Sequence, residues 1–227
     1  MLYLIASLAL LALIAGPQLW VRYVLHRYSR HVEAIPGSGA ELATHLLQRF
    51  ELPSVKVEPA GAAGDHYDPA DNAVRLSPRV YDGKSLTAIA IAAHEVGHAI
   101  QFNRDEPVSH LRKRYLRRAR LIQQIGAALV VVLPVLAGVL RAPQLGLMAL
   151  LAGVATMLLS VLMYVAVLPE EFDASFNKAL PILDEGDYVP KADLPIVRRI
   201  LRAAALTYVA AALLDVLRLW RWVRLIR

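Results

Sequence analysis

The chain has 227 residues, of which 57% are hydrophobic and 19% charged, and its mean hydropathy is +0.44; a soluble domain runs about 45–50% apolar and about 25% charged, so the excess points to a membrane protein. No cysteine is present, which excludes a disulfide framework, thiolate metal ligands and thiol nucleophiles. The net charge is +6, but Arg22, Arg27 and Arg30 follow one apolar run, and Arg112, Lys113, Arg114, Arg117, Arg118 and Arg120 precede another, a placement that fits membrane orientation and argues against nucleic acid.

Residues 2–21 are uncharged, and about 20 apolar residues suffice to span a bilayer. The start MLYLI carries no positive charge, unlike a cleaved signal peptide. Residues 1–21 are therefore expected to be a retained anchor with its N-terminus outside. Residues 22–120 read as a cytosolic domain. Pro36-Gly37-Ser38-Gly39 marks a turn, and Leu42, Leu46, Leu47 and Phe50 then recur at helical spacing. SVKVEP alternates as a strand does, and Gly61 to Gly64 is a turn cluster. DHYDPADNAVRLS places Pro69 and Asn72 in a turn before a short strand holding Val74 and Leu76. Ser85 can cap a helix that opens at Leu86.

Leu121–Leu140, with a kink expected at Pro134, and Gly146–Leu168 are two further uncharged runs joined by a minimal turn. Residues 121–168 are thus expected to form a transmembrane hairpin. Residues 169–202 are polar again. Ala203 to Leu214 is apolar but too short to span, and it leads into Arg218, Arg221, Arg224 and Arg227. Residues 203–227 are expected to form an interfacial or packed helix. The fold class that results is a mainly α integral membrane protein with a small β element and about three transmembrane helices.

Residues 85–105 carry the chemistry. His94-Glu95-Val96-Gly97-His98 has the form H-E-x-x-H. Residues four apart share a helix face, so His94 and His98 can bind one zinc ion. Glu95 can then act as general base on a water that the metal acidifies. The bland alternative is a buried helix with two satisfied histidines, but burying two histidines and a glutamate together without a metal is costly. Catalytic zinc usually takes three protein ligands. The metzincin positions for a third ligand hold Gln101 and Arg104, so that route fails. His110 is one remaining candidate, more readily an exposed loop histidine. Glu170, Glu171 and Asp173, just after the third apolar run, supply carboxylates. An acidic first turn favoured by the helix dipole explains them equally well.

Taken in order, DHYDP, VRLSPRVYDGKSL, AIAAHEVGHAIQ, LPEEFDAS and AAALTYVAAAL resemble the YugP-type family of neutral zinc metallopeptidases along most of the chain. That family is itself similar to the membrane zinc peptidases of the CAAX prenyl protease and HtpX type. The resemblance implies a zincin-like, gluzincin-type domain in a bacterial-type plasma membrane. It implies Zn2+ held by His94, His98 and Glu171, with Glu95 as base, and peptide or protein substrates, membrane proteins among them. The related peptidases place aspartate four residues after the ligand glutamate, where this chain has Ser175. Ser175 or Asp173 is then the candidate for holding a ligand histidine from behind. In zincin-like peptidases the strand before the active helix edges the cleft and pairs with extended substrate, which points to residues 72–77. Tyr67 or His66, just before it, is a candidate for stabilising an oxyanion, against the simpler reading of a structural turn.

Two crossings between residues 120 and 169 would return Glu171 to the side of His94 and His98, in the cytosol by the basic clusters. Two rival functions remain at the level of sequence. One is an adaptor or folding factor with a structural zinc, and the other an intramembrane site-2-type protease.

Overall fold

The structure is a computed structural model that describes residues 2–61, 64–142 and 144–213; most of the expected C-terminal helix lies outside the described residues. The chain divides into two compact units, one of residues 1–19, 111–168 and 207–227, the other of residues 20–110 and 169–206.

The first unit holds the start of α1 (Leu2–Arg27), α5 (Leu111–Val139) and α6 (Gln144–Val165). The hydrophobic run of α1 continues as helix through Pro17 and past residue 21 to Arg27. Helices α5 and α6 form an antiparallel hairpin. Ala119 faces Ser160, whose Oγ donates to the Ala119 carbonyl at 3.4 Å. Further along, Gly126 lies against Thr156 and Gly153 against Val130. Small residues at these crossings let the two backbones approach closely. The outer faces stay apolar and exposed, with Leu121, Val132, Val135, Leu151, Leu158 and Leu162 among them. Two helical runs among the described residues, Pro107–Val139 and Gln144–Glu185, are long and apolar enough to cross a membrane. The second is uncharged only as far as Pro169.

The second unit is built around α4 (Leu86–Asn103). Ser85 caps it by accepting from the Ala88 N–H, as expected from sequence, and every residue from Leu86 to Gln101 is buried. Helix α2 (Gly39–Arg49), α3 (Pro78–Tyr81), α9 (Leu194–Ala205) and the segment after α6 pack on it. That segment is one helical run: α7 (Leu168–Phe172), a π-helical turn at Asp173–Ala179, and α8 (Leu180–Glu185). Ser38 and Glu41 cap α2 reciprocally. Ala203, Ala204 and Ala205 close α9 as buried residues, so the start of the expected 203–227 segment is packed.

A three-stranded sheet completes this unit: β1 (Lys56–Pro59), β2 (His66–Asp68) and β3 (Ala73–Leu76), in the order β1-β3-β2. Strand β1 runs parallel to β3, and β2 antiparallel to it. Two sequence expectations change here. His66-Tyr67-Asp68 is a strand, not a turn; Pro69–Asn72 is the hairpin connection that returns it to β3. Strand β3 is central, so it offers no free edge; the edges belong to β1 and β2. Arg75 on β3 ties all three strands together through Glu58, Asp68 and Asp71.

Candidate metal centre

His94 and His98 project one turn apart from α4, and Glu171 projects from α7 to meet them. The three side chains are 5%, 2% and 2% exposed. His94 Nε2 and His98 Nε2 are 3.2 Å apart, and Glu171 Oε2 lies 3.3 Å from the first and 3.4 Å from the second. Two nitrogens and an oxygen held tetrahedrally at 2.0–2.1 Å from one ion should be about 3.3–3.4 Å apart. The triangle therefore has the size of one face of a zinc coordination sphere. Glu171 Oε1 is buried with no hydrogen-bond partner, and a buried orphan carboxylate oxygen beside two imidazoles is the kind of atom a cation satisfies. An acidic first turn serving only the helix dipole would stay solvated; Glu171 is 1% exposed. Burial pushes its carboxyl up, but attraction to His98 and His94 holds it well below the usual carboxylate range.

Glycine makes this approach feasible. A Cβ on Gly97 would stand 2.8 Å from the Ala174 carbonyl oxygen and 3.3 Å from the Ala174 Cα. The obstacle is backbone, which cannot swing aside as a side chain can. Gly97→Ala is expected to cost about 1–3 kcal/mol of stability, the range for overpacking, and to push Glu171 and Ser175 away from α4. Isothermal titration of the folded variant should show weaker zinc binding than wild type.

Each histidine of the cluster is held from behind through Nδ1. Ser175 Oγ is 3.1 Å from His94 Nδ1 and donates to the Leu201 carbonyl at 3.2 Å. A hydroxyl that donates its one proton to a carbonyl can only accept from the imidazole. His98 Nδ1 lies 2.9 Å from Gln101 Oε1. Gln101 Nε2 donates in turn to the Glu170 carbonyl at 2.9 Å and to Asp173 Oδ2 at 2.8 Å. Asp173 also takes Lys178 and Asn177. Burial pushes its carboxyl up, but these three donors together hold it below the usual range. So Ser175 stands behind His94, and Asp173 reaches His98 only through Gln101. The sequence pattern treats Gln101 merely as a failed metzincin position. Its spacing of three from His98 puts both on one helix face, which is the signal that could have found it.

Glu95 is 6% exposed, and its Oε2 accepts from the Tyr67 backbone N–H at 2.9 Å. Tyr67 thus reaches the centre through its main chain on strand β2. Its hydroxyl donates to Asn72 Oδ1 at 2.8 Å and accepts from Asn103 at 3.2 Å. His66 Nδ1 bonds the Gly64 carbonyl at 2.8 Å. These side-chain contacts are with Gly64, Asn72 and Asn103 rather than with His94 or His98. Asp65 accepts from the Ser77 N–H at 2.6 Å; burial pushes its carboxyl up, with a smaller contribution from the charge of Glu95. His110 pairs with Asp105 at 2.8 Å and is 55% exposed, away from the cluster.

The family model described as "Putative neutral zinc metallopeptidase" matches residues 2–227. "Putative membrane protease YugP" of Bacillus subtilis (strain 168) is 37% identical over 225 residues, covering 98% of this chain and 96% of the relative. No solved structure matches the chain significantly. The zinc that this family takes agrees with the donor set of His94, His98 and Glu171.

Proposed function

The chain belongs to this family of zinc metallopeptidases, and from that premise we propose that it is a membrane-anchored, gluzincin-type endopeptidase whose site faces the cytosol. The observation that carries the mechanism is the buried triangle of His94 Nε2, His98 Nε2 and Glu171 Oε2 at 3.2–3.4 Å. His94 and His98 would hold the metal through Nε2 and Glu171 through Oε2, three protein donors where a catalytic zinc usually takes three. A zinc ion bound there supplies Lewis acidity, which lowers the pKa of water toward neutrality and polarises the scissile carbonyl. Glu95, oriented by the Tyr67 N–H, receives the proton of the attacking water on its carboxylate and delivers it to the departing amine nitrogen. Ser175 keeps His94 in the tautomer whose Nε2 carries the lone pair. With β3 central in the sheet, an extended peptide adds as a strand to the outer edge of β2.

Glu171 meets His94 and His98 only if an even number of crossings separates them. Helices α5 and α6 supply two, and the basic residues at the head of α5 favour the cytosolic side. In this topology α1 is the third span, entering from outside. The intramembrane alternative fits poorly, because α4 is sheathed in protein and is not among the candidate spans of the described residues. A structural zinc would want four protein ligands; among the described residues the cluster offers three.

The direct test uses the full chain purified in detergent. A zinc chelator is expected to abolish hydrolysis of an unstructured protein substrate, and about one equivalent of zinc to restore it. Cleavage that persists after zinc has been removed would rule out the mechanism.

A further inference from the structure

We infer that Gln101 is a positioning residue that fixes the tautomer of His98, with Asp173 and the Glu170 carbonyl dictating which way its amide faces. The inference rests on the zinc-peptidase reading and adds a residue to it. A glutamine amide can present either its oxygen or its NH2 to a neighbour. Here the choice is forced. Gln101 Nε2 lies 2.9 Å from the Glu170 carbonyl and 2.8 Å from Asp173 Oδ2. The carbonyl accepts only, and so does an ionised carboxylate. Flipping the amide would set its oxygen against two acceptors inside a site where Gln101 is 1% exposed.

The oxygen must therefore face His98, 2.9 Å from Nδ1. An amide oxygen accepts only, so Nδ1 must carry the proton, and the neutral imidazole then keeps its lone pair on Nε2. The nitrogen so freed is the one 3.4 Å from Glu171 Oε2 and 3.2 Å from His94 Nε2. Asp173 is itself pinned by Lys178, which also reaches Glu106 at 2.7 Å. Lys178–Asp173–Gln101–His98 forms a continuous chain of contacts. It sets the lone pair of a metal ligand from a salt bridge at the edge of the site. The two histidines are thereby hydrogen-bonded by different neutral groups, a hydroxyl behind His94 and an amide behind His98. A carboxylate bonded directly to a metal-bound imidazole would raise its basicity; here the charge of Asp173 stands one residue further back, and Glu170 Oε1, 3.9 Å from His98 Nδ1, is beyond hydrogen-bond reach.

The experiment compares zinc affinity, by competition with a chromophoric chelator, in the full-length protein and its variants, together with the visible spectrum of the cobalt-substituted forms. Q101L removes the acceptor. Zinc affinity is expected to fall by about 10- to 100-fold, the range for residues behind metal ligands, and the cobalt bands to shift. Q101M removes the same amide but keeps an unbranched side chain of similar length, and it is expected to show the same loss of affinity and the same shift of the cobalt bands. If Q101L folds and binds zinc as wild type does, with an unchanged cobalt spectrum, the inference is overturned. If Q101L does not fold, Q101M decides alone: lowered affinity with shifted cobalt bands supports the relay, and wild-type affinity with an unchanged cobalt spectrum overturns it. Wild-type protein that takes up no zinc at all would instead overturn the underlying zinc-site reading.

Discussion

Replacing Glu95 by glutamine is expected to lower kcat/KM for peptide hydrolysis by about 10²- to 10⁴-fold, the usual contribution of a positioned acid–base group, while zinc stoichiometry stays at wild type. The two effects separate because Glu95 is not one of the three clustered donors. His94, His98 and Glu171 form the triangle, and the Glu95 carboxylate is held elsewhere, by the Tyr67 N–H at 2.9 Å. Glutamine keeps the size of the side chain, and its carbonyl oxygen can still accept that bond. What it loses is the ability to take a proton from water and return it to the amine. Stability should change little for the same reason. Metal analysis and turnover must be measured on the same preparation. Undiminished turnover in a zinc-loaded Glu95→Gln protein would remove Glu95 from the mechanism; loss of zinc would recast it as a ligand.

The parts of this site that sequence made legible are those with short-range geometry. His94 and His98 are four apart on a helix that Ser85 caps, so their shared face follows from helical period alone. The α5–α6 hairpin is equally plain, because two uncharged runs and a minimal turn leave few alternatives. Long-range partners are harder. Residues 168–173 supply several carboxylates, and nothing local separates Glu171 from Glu170 or Asp173; only the packing of the π-helical turn that follows against α4 does so. That packing depends on Gly97, whose missing Cβ is a two-body property of α4 and the Ala174 backbone. Strand β2 went unseen because His66–Asp68 is three residues long and made of polar and aromatic types. Its role is a main-chain one, since the Tyr67 N–H bonds Glu95. A backbone donor leaves no mark on residue identity, so side-chain reasoning drew attention to the Tyr67 hydroxyl instead. Gln101 is hidden for a different reason. A metal-ligand pattern tests it only as a ligand, while its amide meets His98 at Nδ1, the nitrogen away from the cluster.

Removing the Glu171 carboxylate should have the largest effect on the metal itself. Glu171→Ala leaves two imidazoles where three donors stood, so zinc affinity is expected to fall by more than about 100-fold, beyond the range for groups that act from behind a ligand. The zinc-dependent part of the protein's stability is the cleanest readout. A ligand that binds only the folded state adds RT ln(1 + [L]/Kd), which is about 2.7 kcal/mol at 100 times Kd. At the same free zinc, a 100-fold weaker site would add only about 0.4 kcal/mol. Absolute stability is a poorer guide, because the substitution also removes a buried carboxylate from between two histidines and leaves a cavity. Each of those alters the metal-free protein in its own direction. The difference between zinc-loaded and zinc-free unfolding cancels both. Glu171→Gln separates charge from shape: it keeps a neutral oxygen near the place of Oε2 and should fall between wild type and alanine. If Glu171→Ala retains the full zinc-dependent increment, the third donor lies elsewhere, and Glu170, buried beside it with Oε1 3.9 Å from His98 Nδ1, becomes the residue to substitute next.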